Sequence, residues 1–181
     1  MVDLQSVQQY QGPSLLRGQS YLYLRPHPAL NPYLSAYTVT FPTPSGMTDD
    51  YTIMPTASTT LVYSYSDGIM IGSLRGVNRY SANVGKHAKC FDALVLVEFR
   101  PGRLFPFLRI SQHELLNTSF GFYDLNKSLH LDIESAILSS GDISMLVRRL
   151  DTVFLSRIPY ISPHPQVETA MNALVTRKGL I

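Results

Sequence analysis

The stretch Asp92-Ala93-Leu94-Val95-Leu96-Val97-Glu98-Phe99-Arg100-Pro101-Gly102 marks the boundary between two kinds of secondary structure in this chain. Residues 93–99 are apolar except for Glu98, a composition typical of a buried strand. Pro101 lacks the amide hydrogen that a strand must donate, and Gly102 favours a turn, so the strand cannot continue past them. We therefore expect a buried strand to end here and a helical region to follow.

Upstream of this boundary, short runs of β-branched and aromatic residues alternate with turn residues. Such runs predict short antiparallel strands arranged as a sandwich or barrel. Ser66-Asp67-Gly68 predicts a tight hairpin, because its residues tolerate the positive φ values that such a turn needs. The predicted strands cover residues 21–24, 33–41, 51–54, 59–65, 68–74 and 93–99.

Downstream of Pro101 the apolar residues repeat at helical spacing. Ser111 and Glu114 have the spacing of a capping box and predict a short helix that begins at Ser111. Asp142 is placed to cap a longer helix over residues 143–158. One side of that helix carries an apolar stripe, made of Ile143, Leu146, Val147, Leu150, Phe154 and Ile158. The predicted fold class is therefore α+β, a β domain followed by C-terminal helices.

Composition narrows the function classes. The 181 residues suit one domain with at most a small appendage, and the hydrophobic content of 45% is enough for a core. A net charge of +2 without any basic run gives poor support to nucleic-acid binding by this segment. The N-terminus lacks a secretory signal, no stretch approaches the roughly 18 apolar residues of a membrane span, and Cys90 is the sole cysteine. We expect a cytoplasmic protein.

The order of these phrases resembles the N-terminal sensor half of AraC-family transcription regulators, in the subgroup whose sensor is a cupin-like barrel. The likeness extends over roughly residues 21–181. In that family a strand ends in a Phe-Arg-Pro-Gly phrase, which here is Phe99 to Gly102, although a tryptophan common in an early strand is absent. The other similar phrases are residues 28–37, 54–63 and 72–75, then Leu115, Leu125, Arg149-Leu150, Phe154-Leu155 and 164–179.

The resemblance implies a cupin-like or jelly-roll β-barrel followed by a C-terminal α-helical subdomain. Residues 1–20 would form an N-terminal arm, 21–100 the barrel sensor and 101–160 a helical linker and dimerisation region. Residues 161–181 would be the first helix of a DNA-binding domain whose remainder lies outside this chain. The resemblance further implies a homodimeric regulator that binds a small-molecule effector, needs no cofactor, metal or membrane, and catalyses no reaction.

Three residues are candidates for effector binding. Tyr63 and Tyr65 share one face of their predicted strand and could stack on a small organic molecule, the alternative being an ordinary aromatic core. Glu98 stands in an otherwise apolar strand, so it either faces solvent, pairs with an arginine or contacts a ligand. For the dimer interface, the apolar stripe of the helix after Asp142 predicts Leu146, Leu150 and Phe154.

Two other functions remain open. A metal-dependent cupin enzyme would need clustered ligands, whereas His27, His87, His113, His130 and His164 are scattered and form no His-x-His pair. We identify no catalytic residues, and the sequence contains no Gly-x-Ser-x-Gly nucleophile motif. The second alternative is a ligand-free barrel that serves only as an interaction module.

Overall fold

A computed structural model of the chain describes residues 1–42, 48–55, 57–111 and 113–158, together with Gln166, Thr169, Ala173 and Thr176. Most of its described residues belong to an antiparallel sheet or to the helices that pack on it. The helix predicted over residues 161–181 lies outside the described residues, apart from those last four, which are helical.

The main sheet has seven strands in the order β1-β2-β3-β8-β5-β6-β9, all antiparallel, and β4 pairs with β7 in a separate two-stranded sheet. All six predicted strands are present, and the predicted bounds of β2 and β8 match those of the structure. The strands are β1 Leu16–Arg17, β2 Tyr21–Leu24, β3 Leu34–Thr40, β4 Thr52–Ile53, β5 Thr60–Ser66, β6 Ile69–Arg75, β7 Ala82–Asn83, β8 Ala93–Phe99 and β9 Ser119–Gly121.

The sheet is not closed into a barrel, so the predicted cupin-like or jelly-roll barrel is wrong while the α+β class is confirmed. Within the described residues β1 and β9 are the edges of the sheet and do not pair with each other. Closure needs a continuous ladder between the edge strands. Between β3 and β5, and between β6 and β8, the only strands of the described chain are the two-residue β4 and β7, which pair with each other instead of extending the main sheet.

The hairpin between β5 and β6 is confirmed. Asp67 and Gly68 both have positive φ, 50° and 80°, as a two-residue turn between twisted strands requires. Strand β8 ends at Phe99 as predicted, and Gly102 turns the chain with a φ of 74°. The boundary between strand and helix therefore lies where Pro101 and Gly102 place it.

Two helices of twelve and thirteen residues dominate the C-terminal half. The predicted cap of α6 is confirmed, because the Met145 amide donates to Asp142 Oδ1 at 2.7 Å, although the helix ends three residues before the predicted Ile158. The described residues do not form the helix predicted to begin at Ser111, since residues 113–117 form turns. The helices are α1 Leu4–Gln9, a 3-10 turn Pro28–Leu30, α2 Gly85–Ala88, α3 Phe105–Leu108, α4 Phe122–Leu125, α5 Lys127–Leu138 and α6 Ile143–Leu155.

The core lies between one face of the sheet and helices α5 and α6. Val95, Val97 and Phe99 of β8 point into it, and the apolar stripe of α6 packs against them. Leu146, Leu150 and Phe154 are each 0% exposed. The three residues predicted to form a dimer interface therefore lie in the interior of their own chain, because an amphipathic stripe packs equally well on a sheet or on a partner.

The first ten residues are packed on the core, whereas Leu15 and Leu16 are exposed. Val2 and Val7 are buried in it, and the N-terminal ammonium group donates to the Leu138 carbonyl at 2.9 Å. A capping box between Asp3 and Ser6 starts α1. The segment predicted as a polar arm is thus joined to the C-terminal end of α5.

Replacing Leu150 with alanine is expected to lower the free energy of unfolding by about 2–5 kcal/mol, because it leaves a cavity in the core. Leu131 of α5 is 44% exposed, so Leu131→Ala is the matched control and is expected to cost less than about 0.5 kcal/mol. Urea denaturation measures both values. If Leu150→Ala weakened self-association and left the stability of the monomer unchanged, the stripe would belong to an interface between chains.

Candidate functional site

Strand β8 divides its side chains between two faces of the sheet. Val95, Val97 and Phe99 face the helices, whereas the alternate residues Leu94, Leu96 and Glu98 are half-buried on the opposite face. We call the second surface the Glu98 face. Strand register places on it, among others, Tyr21 and Tyr23 of β2, Ala36, Thr38 and Thr40 of β3, Thr60, Val62 and Ser64 of β5, Ile71, Ser73 and Arg75 of β6, and Leu94, Leu96 and Glu98 of β8.

Glu98 lies on the central strand of this face, and Arg75 of β6 lies on the same face two strands away. The Thr38 hydroxyl donates to Glu98 Oε1 at 2.7 Å, and the Ser35 hydroxyl donates to the Glu98 backbone carbonyl at 3.1 Å. Burial raises the pKa of the Glu98 carboxyl, and the hydrogen bond from Thr38 partly opposes that rise. In the described part of the chain no Lys, Arg or His forms an ion pair with it.

Tyr23 lies close enough to this carboxyl for the negative charge to act on it, and Tyr21 packs against Tyr23. Tyr23 is directly opposite Thr38 in the strand register, and its ring meets that of Tyr21 edge-to-face, with centroids 5.9 Å apart. Burial raises the pKa of Tyr23, and the negative charge of Glu98 raises it further, with smaller effects from Tyr51 and Tyr21. The arrangement combines a carboxylate acceptor with aromatic rings and hydroxyl groups.

The two tyrosines predicted for effector binding lie on the other side of the sheet from Glu98. Tyr63 is opposite Val95 in the register and Tyr65 is opposite Ala93, so both side chains point toward the helical layer. Tyr63 is buried there and Tyr65 is partly buried. The structure therefore does not bring Tyr63 and Tyr65 together with Glu98 in one site.

Tyr63 belongs to an aromatic cluster around His130 of α5. The two rings stack with centroids 5.6 Å apart and an interplanar angle of 21°, while Phe122 and Tyr123 approach His130 edge-on. His130 Nε2 lies 3.7 Å from Glu134, and Nδ1 has no hydrogen-bond partner among the described residues. Burial raises the pKa of Tyr63, whose hydroxyl donates to the His130 carbonyl at 3.4 Å. Sequence reasoning missed this cluster.

A polar contact ties helix α6 to the sheet. Asp151 Oδ1 accepts hydrogen bonds from the Tyr37 hydroxyl at 3.1 Å and from the His27 amide at 2.9 Å. Burial raises the pKa of Asp151, and these two donors partly lower it. Helix α6 is thereby held to β3 and to the residue that caps the 3-10 turn.

An aromatic contact joins the same helix to the end of β8. The ring centroids of Phe99 and Phe154 are 6.1 Å apart, and Phe107 of α3 lies 5.8 Å from Phe154 and 5.6 Å from Phe99. Phe99 follows Glu98 directly in the chain but points to the opposite face. The residue next to the carboxyl is therefore packed on the C-terminal helix.

Two clefts lie on the helical side of the molecule. One, of about 280 Å³, is lined by Pro106, Phe107, Arg109, Asn126, Leu129 and Arg157, and Arg157 also pairs with Asp132. The other, of about 600 Å³, is an open depression beside Leu131, Glu134, Ser135, Leu138 and Ser139 of α5. Neither cleft contains Tyr63, Tyr65 or Glu98.

Two further searches cover only the residues that the structure describes. No group of three His, Cys, Asp or Glu side chains there could hold a metal ion. None of the helices in that part of the chain has the length and apolar character needed to cross a membrane.

Comparisons of the chain with protein-family models, with curated proteins and with solved structures found no match.

Gly72→Ala is expected to lower the free energy of unfolding by about 1–3 kcal/mol, as overpacking does. A Cβ atom at Gly72 would lie 2.7 Å from His130 Nδ1 and 2.9 Å from Tyr63 Cε1, inside the aromatic cluster. Gly141→Ala is the matched control, because a Cβ there meets no atom within 4 Å. Thermal and urea unfolding of both variants measure the difference, and equal stability would show that the cluster tolerates the added methyl group.

Glu98→Gln is expected to change how stability depends on pH. Because the folded chain raises the pKa of this carboxyl above its ordinary value of 4.5, folding takes up a proton between the two pKa values. The wild type should therefore lose stability relative to Glu98→Gln as pH rises through that interval, and the difference should then level off. Urea denaturation of both proteins from about pH 4 to pH 8 measures it. Parallel profiles would contradict the raised pKa.

Proposed function

We propose that this chain is the effector-sensing region of an AraC-type transcription regulator, with the Glu98 face as its effector site. The sequence phrases that resemble that family support the regulator class. One structural observation supports the sensing role: Glu98 and Phe99 are neighbours on β8, yet the Glu98 side chain lies on the Glu98 face and Phe99 packs on Phe154 of α6. A ligand beside Glu98 would thus be one residue from the helical layer.

In this proposal helix α6 has two arrangements relative to the sheet, and the ligand shifts the equilibrium between them. A bound molecule stabilises whichever state of β8 it contacts best, and it can shift the equilibrium only by that difference in affinity. Phe99 transmits the bias through its contact with Phe154, and the Asp151 hydrogen bonds hold the same helix to β3. A DNA-binding domain that follows α6 in the full regulator would receive the change.

The proposal also includes a cytoplasmic homodimer that reaches DNA only through its C-terminal domain. The dimer cannot use Leu146, Leu150 and Phe154 while these side chains fill the core. The dimer interface would involve other residues. Light scattering over a range of protein concentrations measures whether the dimer forms.

A thermal-shift screen with a metabolite library tests the effector site. At a ligand concentration of 100 times Kd, binding stabilises the folded state by about 2.7 kcal/mol, which raises Tm by several degrees. We expect at least one compound to raise the Tm of the wild type and of Glu134→Gln but not that of Glu98→Gln. Glu134 is the matched control because it lies on α5, on the other side of the sheet.

Other outcomes of the screen would favour other functions. Compounds that stabilise Glu98→Gln as much as the wild type would place the ligand elsewhere. A screen without any stabilising compound would favour a ligand-free interaction module. Stoichiometric iron, manganese or zinc in the purified protein would favour a metal-dependent enzyme.

A further inference from the structure

The Glu98 carboxylate is half-buried and lacks a cationic neighbour. Its side-chain partner is the neutral hydroxyl of Thr38, and within the described ranges no basic side chain pairs with it. Burying a carboxylate is unfavourable unless a counter-charge or several donors compensate it. Because Thr38 provides one donor, acceptor positions of the carboxylate remain for a ligand.

The groups around Glu98 suit a positive charge. Tyr21 and Tyr23 of β2 lie on the same face, two strands away from β8, and Tyr51 is close enough to Tyr23 to affect its titration. The face of a tyrosine ring carries partial negative charge and attracts an ammonium group. Arg75 of β6 also lies on this face, two strands from Glu98 on the other side, but in the described ranges it forms no ion pair with that carboxylate. An anionic ligand beside Glu98 would face the carboxylate, which repels it.

Part of the same face is apolar. Val62 of β5 lies opposite Leu96 of β8, and Leu94 continues the row away from Glu98. Val62 is buried, and Leu94 and Leu96 are half-buried. A ligand whose charged end reaches Glu98 would therefore lay its body along aliphatic side chains.

We propose that the Glu98 face binds a small organic cation, a primary amine that carries a short apolar body. The ammonium group donates to Glu98 beside Thr38 and faces the ring of Tyr23, and the apolar body contacts Leu94 and Leu96. This inference rests on the proposed function, because it names the chemical class of the effector for the same site.

Three probes of matched shape test whether the ligand is a cation. They are isopentylamine, isopentanol and isovalerate, which carry an amine, an alcohol and a carboxylate on similar branched apolar bodies. Chemical-shift titration of the labelled chain, followed at the amides of β2, β3 and β8, measures the affinity for each probe. We expect isopentylamine to bind at least tenfold more tightly than the other two. Glu98→Gln should weaken its binding at least tenfold, whereas Glu134→Gln should leave it unchanged.

A second variant keeps the test independent of the folding of Glu98→Gln. Tyr23→Leu removes one ring but leaves the carboxylate in place, and we expect it to weaken isopentylamine binding several-fold. Circular dichroism checks that each variant is folded. Equal affinity for the amine and the alcohol, or no loss in Glu98→Gln, would overturn the cationic class.

The two proposals can fail separately. If isopentylamine fails to bind while neutral or anionic compounds in the thermal-shift screen depend on Glu98, the cationic class is wrong and the effector site stands. If none of the three probes binds and the screen finds no compound that depends on Glu98, both proposals are wrong.

Discussion

The contact between Phe99 and Phe154 holds the two halves of this fold together. Phe99 is the last residue of the strand at the centre of the sheet, and Phe154 lies one residue before the end of α6. Both side chains are fully buried, and burying an aromatic side chain removes a large apolar area from water. Because Pro101 and Gly102 end the strand directly after Phe99, the chain that follows can turn back and cover this contact with α3.

The same strand carries the candidate site. Alternation along β8 sends Glu98 to the face away from the helices, so its carboxyl and the core contact differ by one residue. The Asp151 hydrogen bonds to Tyr37 and His27 add a second connection between sheet and α6. In the proposed sensing role, these contacts would transmit a movement of β8 at the Glu98 face to α6.

Much of the fold follows from local patterns in the sequence. The bounds of β2 and β8, the Asp67-Gly68 hairpin and the Asp142 cap are all predictable, because each depends on residues close together in the chain. The closure of the sheet is not predictable in this way, since it depends on whether distant edge strands pair. The two-residue strands β4 and β7 pair with each other, and this leaves the main sheet open.

The sequence identified individual residues of the candidate site but not which of them lie together, because that also depends on contacts between distant parts of the chain. Strand periodicity shows that Tyr63 and Tyr65 share a face, but it cannot show that this face is opposite to that of Glu98, because that depends on the register between β5 and β8. The stripe of Leu146, Leu150 and Phe154 was recognised as apolar, yet periodicity does not identify what covers it. The cluster around His130 and the pairing of Tyr23 with Thr38 likewise join residues far apart in sequence.

Coupling between the two faces of β8 can be measured directly by hydrogen–deuterium exchange of the chain with and without saturating isopentylamine. If the Glu98 face senses a ligand and α6 responds, the amine should slow exchange in β2, β3 and β8 and should also change exchange in α6. Protection confined to the strands, with α6 unchanged, would contradict a sensing role for this contact.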